Sequence, residues 1–553
     1  MSDAQQPRPY GQQAGSEQAP TEWIGSQQPP GPGTGPDAGN DGDGGGGRRR
    51  LLVVGAAAAA LVLIVGGGVL AFQVLSGGGP QPADAIPDDA IAYARIDLDP
   101  SAEQKVNAVR LLRSVPEFEE ETGITSDTDD LRRRLFEEAL ADSEGCSEVD
   151  YDNDIAPWIG DRAGAAAMPG TDGAEPKPLL VLQVTDEGAA RDGIEALLEC
   201  SEEEDEPAGL AFVGDYALLA ETQGEADDHA AAAEESPLSE DEAFGADMEA
   251  LDGEGIASFW VDLDAVLGYL EQSDPETAQM LEATGYDDVG SISAAIRAQS
   301  DALEFVAATT GEAFAVGSSE PAGDVQALPE STLMALGFTG GGDAVDKFWE
   351  QLLELEGSGV VGEFGSIEEF AAQIEAQTGL VIPDDIGTLL GEEFTLAVDS
   401  GGFEIVPETG APDLSTINVG ARLRTDAEAA ADLVSRVRAL LAQSGIPFEL
   451  AQQEVDGGLV IAANEGYADA LASGGDLGDA DVFDSAVADS DDAVAVLFLD
   501  LDKLDELVDR VAGELGEDVP PEVSDTLDVL SAFGVSSVVD GDYNRTTFRL
   551  VFG

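Results

Sequence analysis

Basic side chains are what this sequence most conspicuously lacks. In 553 residues lysine occurs four times (Lys105, Lys177, Lys347, Lys503), histidine once (His229) and cysteine twice (Cys146, Cys200). One histidine cannot build a multi-histidine metal centre, and no Gly-x-Ser-x-Gly elbow accompanies His229 to suggest a serine-hydrolase triad. No Walker loop or Rossmann glycine pattern is present either, so nucleotide chemistry has no motif to rest on. His229 follows Asp227-Asp228 on an alanine-rich helical stretch and reads as a surface residue. Two isolated cysteines make no zinc cluster. Outside a reducing compartment Cys146 and Cys200 are expected to form a disulfide, stabilising by about 3–4 kcal/mol in the chain-entropy model.

The shortage of bases leaves a formal charge of -89. All but six of the 113 acids and all but four of the 24 bases lie after residue 75. A field of that sign repels nucleic acid and anionic head groups, attracts divalent cations or cationic proteins, and favours solubility. The acids are spread along the chain, as on a solvated surface. Hydrophobic residues still make up 43% of the chain, enough for packed cores.

Residues 1–50 are rich in Gln, Pro and Gly, with hardly an aliphatic residue, and read as a disordered tail. Arg48-Arg49-Arg50 precedes Leu51–Leu75, a run of 25 residues without a charge. At about 1.5 Å per residue this run spans a hydrocarbon core of about 30 Å. The arginines put the tail on the cytoplasmic side and everything after Leu75 outside the cell membrane. Ala83-Asp84-Ala85 has the small-residue form of a signal-peptide cleavage site, but the apolar run exceeds the usual h-region of about 7–15 residues. A single-pass anchor is therefore expected, followed by a linker at 76–85.

The outer region is organised by a recurring stretch. Ile91-Ala-Tyr-Ala-Arg-Ile-Asp-Leu-Asp99 returns as Ile256–Asp264, as Val494–Asp502 and, in blunter form, as Leu333–Thr339. Other landmarks repeat in the same order: Ile86-Pro87 with Leu328-Pro329, Asp154–Asp161 with Asp385–Glu392, Thr185-Asp186 with Thr425-Asp426, and Leu238–Phe244 with Leu477–Phe483. A common order at a near-constant offset predicts a tandem duplication. The fold class expected is α+β, two sheet-plus-helices repeats on a single transmembrane helix. Repeat 1 covers 86–317, a linker 318–327, and repeat 2 328–553.

Within each repeat, alternating apolar residues predict strands near 91–96, 162–168, 179–184, 291–298 and 302–309, with hairpins at 211–220 and 454–462. Helices are expected near 100–114, 129–141, 186–200, 225–233 and 241–251.

Ile96-Asp-Leu-Asp-Pro-Ser-Ala-Glu-Gln-Lys105, Leu111-Leu-Arg-Ser-Val-Pro116 and Asp154-Ile-Ala-Pro-Trp-Ile-Gly-Asp-Arg162 resemble the domain-of-unknown-function 3352 family. Its members are uncharacterised single-pass envelope proteins of actinobacteria. The resemblance implies an envelope location and brings no catalytic residues. Repeat 2 departs from it, with Thr388-Leu389 in place of Pro157-Trp158.

Two acidic groupings are metal candidates. Asp97 and Asp99 stand at i and i+2, which on a strand would point both carboxylates to one face. The pair recurs as Asp262/Asp264 and Asp500/Asp502, but the fourth copy has Thr339 and Gly341, so strand exit and helix capping explain the pattern better. Asp150, Asp152 and Asp154 have the acid spacing of a calcium loop, yet its glycine position is Ile155 and its closing position is Asp161. Arg110, Arg113 and Arg132-Arg133-Arg134 are expected to pair with nearby acids. No cofactor is implied. The readings open at this point are a non-catalytic binding or scaffold protein of the envelope, a lipid or glycolipid carrier, and a metal-dependent hydrolase using the Asp97/Asp99 type of pair.

Overall fold

A computed structural model describes residues 80–553, apart from 99–105, 114–131, 137–145, 171–173, 201–207, 282–289, 312–319, 359–365, 407–410, 444–449 and isolated positions near them. The expected tail, membrane segment and start of the linker lie outside the described residues, as do Asp99 and most of the helix expected at 129–141. Among the described residues no helix is long and apolar enough to cross a membrane.

The fold is α+β. Its strands are β1 Ala92–Asp97, β2 Ile159–Met168, β3 Lys177–Val184, β4 Gly209–Val213, β5 Tyr216–Ala220, β6 Ala257–Asp262, β7 Ser291–Ala298 and β8 Ala302–Thr310. In the second half they are β9 Thr332–Thr339, β10 Glu393–Asp399, β11 Ile405–Val406, β12 Ala411–Pro412, β13 Val419–Arg424, β14 Ala451–Val455, β15 Gly458–Ala462, β16 Ala495–Asp500, β17 Leu530–Asp540 and β18 Tyr543–Phe552. All but β11 and β12 form one 16-stranded sheet in the order β14-β15-β13-β10-β9-β16-β17-β18-β8-β7-β6-β1-β2-β3-β5-β4. Every pairing in it is antiparallel.

Read outward from the β18–β8 contact, the two arms have the same strand order. In each half the first strand lies between the second and the one after the hairpin, as β2-β1-β6 and β10-β9-β16. Matching hydrogen bonds secure the corresponding corners. Leu238 N donates to Ile86 O at 2.7 Å and Leu477 N to Leu328 O at 3.0 Å; Asp97 N donates to Ile256 O and Thr339 N to Val494 O. The hairpin turns are legible in their residues: Gly214 and Gly457 take φ of 54° and 81°, which L side chains resist.

One sheet face is dry. In the first half Tyr93, Phe244, Trp260 and Leu218 close over it beneath the helices Gln223–Glu235 and Glu242–Glu249, with Phe244 edge-on to both Tyr93 and Trp260. In the second half Phe483 packs against Phe498 beneath Glu465–Ser473 and Asp481–Ala486. Three of these helices start on capped termini: Thr222, Asp241 and Asn464 each accept from a backbone N–H three residues on.

The chain enters the fold through a buried polar knot. Pro80 O accepts from Arg162 Nη1 and from the Tyr216 hydroxyl, both at 2.7 Å, while Gln81 Oε1 accepts from Arg95 Nη1 at 2.8 Å. Pro82 lies so close to Gly164 that a Cβ there would stand 2.5 Å from the proline Cβ. Residues 82–86, given to linker and repeat edge by composition, are thus part of the core, and Ala83, Ala85 and Ile86 are buried.

Candidate binding face

The second sheet face is built differently. Residues directly opposite in antiparallel strands share a face, so the registers trace rows of side chains across the sheet. One row runs Ile461, Ala421, Leu396, Leu336, Leu497, Val535, Phe548, Phe305, Ile296, Ala257, Ile96, Ala163, Leu182, Ala217, Phe212. Every position in it is apolar.

Its ends are packed. Leu396 and Ile461 lie against Ala430 and Val434 of the helix Ala427–Gln443, and Ile96 and Ile296 against Ala108 and Leu111. The middle is not. Leu336, Leu497, Val535 and Phe305 are only half-buried, and Phe548 is 37% exposed. Phe305 and Phe548 face one another at 5.8 Å between ring centroids, where the arms meet. An apolar row left half-covered over five adjacent strands forfeits the burial that would make it a core, at about 25 cal/mol per Å².

Over this middle lies the amphipathic helix Leu501–Leu515, against β9 and β17, followed by Pro521–Leu527 against β17. The first buries Leu501 and Leu507; Leu515 at its end and Val523 in the first turn of the second are exposed. Its outer positions are acidic. Burial and then the neighbouring Asp500, Asp505 and Glu506 push the Asp502 carboxyl above its usual range. Burial and then Asp509, Asp528 and Glu506 push Asp505 the same way.

The acids singled out in the sequence are placed as follows. Asp262 Oδ1 accepts from Ala265 N and Asp500 Oδ1 from Lys503 N, both at 2.9 Å, so each caps the helix that follows. Asp264 and Asp502 fall inside those helices, in the first turn. The strand geometry that would put each pair of carboxylates on one face therefore does not occur in these two copies, because the strand ends at the first aspartate. Asp97 is 2% exposed and held by Arg162 Nε at 2.9 Å and Arg95 Nη1 at 3.4 Å.

Asp150, Asp152 and Asp154 surround a one-turn π-helix, Tyr151–Ile155. Asp150 accepts from Asn153 N, Asp154 accepts from Asp150 N, and Asp152 pairs with Arg133, which holds its carboxyl below the usual range. These carboxylates close a turn rather than converge on a point. Among the described residues no group of three or more metal-binding side chains comes together. Arg132 pairs with Asp161, whereas Arg110 donates to Ser300 O. His229, read as a surface residue, is half-buried on Gln223–Glu235. Cys146 is buried and disulfide-bonded.

Among families of known sequence, the model described as "Protein of unknown function (DUF3352)" matches residues 51–401, more than half of the chain. The chain belongs to this family. No curated protein matches it. Two solved structures, titled "Structure of crystal form III of TP0453" and "Structure of crystal form I of TP0453", align at 7% identity over 42% of this chain and 80% of theirs. Their TM-scores of 0.20 and 0.18 are too low to bear on fold or function. The half-covered row is the feature of this sheet that sequence reading misses. The alternation inside β9, β16 and β17 is visible in the sequence; that these strands adjoin β18 and β8 is not.

Proposed function

We propose that this DUF3352 protein is a membrane-anchored, non-catalytic binding protein of the cell envelope, and that its ligand is apolar. In this reading Leu51–Leu75 spans the bilayer, residues 1–50 are cytoplasmic and the sheet lies outside. The 25 uncharged residues behind Arg48-Arg49-Arg50 support the anchor. The shared strand order supports a tandem duplication of repeats 86–317 and 328–553. So does the local register: the β6–β7 and β16–β17 ladders carry Ser291 onto Ala532, the next pair carries Ala302 onto Tyr543 and Thr310 onto Val551, and β8 then pairs with its own counterpart about Val306 and Thr547. The disulfide at Cys146, whose partner in this proposal is Cys200, suits an oxidising compartment.

The observation behind the apolar ligand is the middle of the cross-strand row, five adjacent large apolar side chains outside any packed cluster, with Phe548 the most exposed of them. Native mass spectrometry of the full chain, extracted in mild detergent, tests the reading. Lipid adducts are expected on the wild type and should be depleted in Phe548→Asp; an adduct-free mass for both proteins would sink it.

A further inference from the structure

The large sheet has two outer edges, β4 in one arm and β14 in the other, and they are finished differently. The hairpins β4–β5 and β14–β15 share a two-residue turn, closing on Val213 with Tyr216 and on Val455 with Gly458. In such a hairpin the closing pair exchanges both of its hydrogen bonds, so every second residue of the outer strand turns its N–H and C=O away from the sheet. On β4 these are Leu210 and Phe212; on β14 they are Gln452 and Glu454.

Leu210 is clamped. The Gln223 side chain lies along it as a further strand would: Oε1 accepts from Leu210 N at 3.1 Å and Nε2 donates to Leu210 O at 3.0 Å. Gly209 permits this approach, because a Cβ there would collide with Thr222 O. The corresponding places in the other arm, fixed by the shared turn and by the N-caps Thr222 and Asn464, hold Ala451 and Glu465. Ala451 carries the Cβ that so close an approach would strike. An ionised Glu465 only accepts, so it cannot serve an N–H and a C=O together. Leu450 O, next along the edge, accepts from Arg438. Among the described residues nothing bonds the outward N–H and C=O groups of Gln452 and Glu454.

Charge marks the same edge. Gln452, Gln453 and Glu454 are exposed, and Glu454 shares the sheet face of Leu459 and Ile461, on which the helix Ala427–Gln443 packs. Over the opposite face the helix Glu465–Ser473 exposes Glu465, standing where Gln223 stands in the other arm, and Asp469. Carboxylates therefore flank the edge on both faces, while Arg438 is engaged by Leu450 O. A guest strand finds main-chain partners at Gln452 and Glu454, and a lysine or arginine on either of its faces meets an acid. A second copy of this chain would instead bring a formal charge of -89 against its like.

We propose that β14 is a docking edge, and that it takes up an extended, lysine- or arginine-bearing segment of a cationic protein as an added strand. The main chain holds the guest and the acids select it. The half-covered row lies on other strands, so this edge stands whether or not that row binds lipid.

The test titrates the full chain, in mild detergent, with a short fluorescent peptide of alternating lysine and valine and with its glutamate-for-lysine counterpart. Binding is read by anisotropy and by hydrogen exchange across β14. The lysine peptide is expected to bind, to slow exchange at Gln452 and Glu454, and to weaken as salt is added; the glutamate peptide is not expected to bind. Gln452→Pro removes an N–H that β15 does not use, and proline is tolerated at such edge positions. It should keep the fold and weaken the lysine peptide at least about ten-fold. The double variant Ala451→Gly/Glu465→Gln, which rebuilds the clamp of the other arm, should weaken it likewise. Undiminished binding to both variants, equal binding of the glutamate peptide, or unchanged exchange at β14 would overturn the proposal. So would a wild-type dimer that Gln452→Pro dissolves, since the occupant would then be a second copy.

Discussion

Asp97 and its two arginines show why a paired acid in the sequence need not be a reactive one. The carboxylate is dry, and its charge is tolerated only because Arg162 and Arg95 sit against it; removing one partner of such a pair leaves an uncompensated buried charge. Arg162→Met is therefore expected to cost about 3–5 kcal/mol in thermal or urea melts. Because Arg162 also holds Pro80 O, the same change should expose the chain near residue 80 to protease. A stable Arg162→Met protein cut no faster than wild type would show that this knot is not what fixes the entry strand. Tyr543 is the second telling residue. Its hydroxyl donates to Asp247 Oδ1 at 3.0 Å, and Asp247 Oδ2 also accepts from Trp260 Nε1 at 2.7 Å. Burial and then the Asp247 carboxylate raise the Tyr543 pKa from 10.0 to about 12. The unfolded chain thus loses this proton first as pH rises, so the stability it contributes is intact below pH 10 and is lost between pH 10 and about 12. Melts of wild type and Tyr543→Phe over that range should converge at the alkaline end; parallel curves would deny the linkage.

At the scale of elements, strand-to-helix corners account for acids whose spacing also suits a metal. Asp262 and Asp500 end their strands and cap the following helices, and truncating such a cap costs about 0.5–2 kcal/mol. Asp262→Ala should lower the melting temperature by that measure and leave binding of calcium or magnesium unchanged; a calorimetric loss of cation binding would restore the metal reading. These corners were readable in advance because a cap is local: an acid, a helix start and a hydrophobic period lie within a few residues. The hairpins at Gly214 and Gly457 were readable for the same reason. The cross-strand row was not, since Phe305 and Phe548 are brought together by a β8–β18 pairing 243 residues apart that no local pattern encodes. Burial of Ala83 and Ala85 and the insertion of Pro82 against Gly164 were likewise hidden, because a stretch of Gly, Pro and Ala reads as linker until a glycine on a distant strand admits it.

The whole sheet is continuous only through β8 and β18, so the joint between the arms decides whether they behave as one body. Nine residue pairs form that ladder, from Tyr543 opposite Thr310 to Val551 opposite Ala302. On the dry face it is reinforced by Glu304, which accepts from Arg549 Nε of the other arm at 2.8 Å and from Arg297 Nη1 of its own at 3.1 Å. Glu304 is 3% exposed, so neither guanidinium finds an equal replacement in solvent if the carboxylate is neutralised. Glu304→Gln keeps the size of the side chain and removes the charge. It should cost about 1.5–3 kcal/mol, the range for hydrogen bonds to charged groups. The position of the loss matters as much as its size. The ladder, with the Arg549–Glu304 pair and the Tyr543–Asp247 hydrogen bond, joins two bodies that each have their own packed face, around Phe244 in one and Phe483 in the other. Weakening the joint lets each arm unfold at its own temperature, so the single calorimetric transition expected of the wild type should broaden or split in Glu304→Gln. Because the half-covered row crosses the same joint through Phe305 and Phe548, the variant should also release bound lipid below the temperature at which either arm unfolds. A sharp, unshifted transition with lipid retained would mean that the backbone ladder suffices and that the buried charges contribute nothing to holding the two arms as one binding surface.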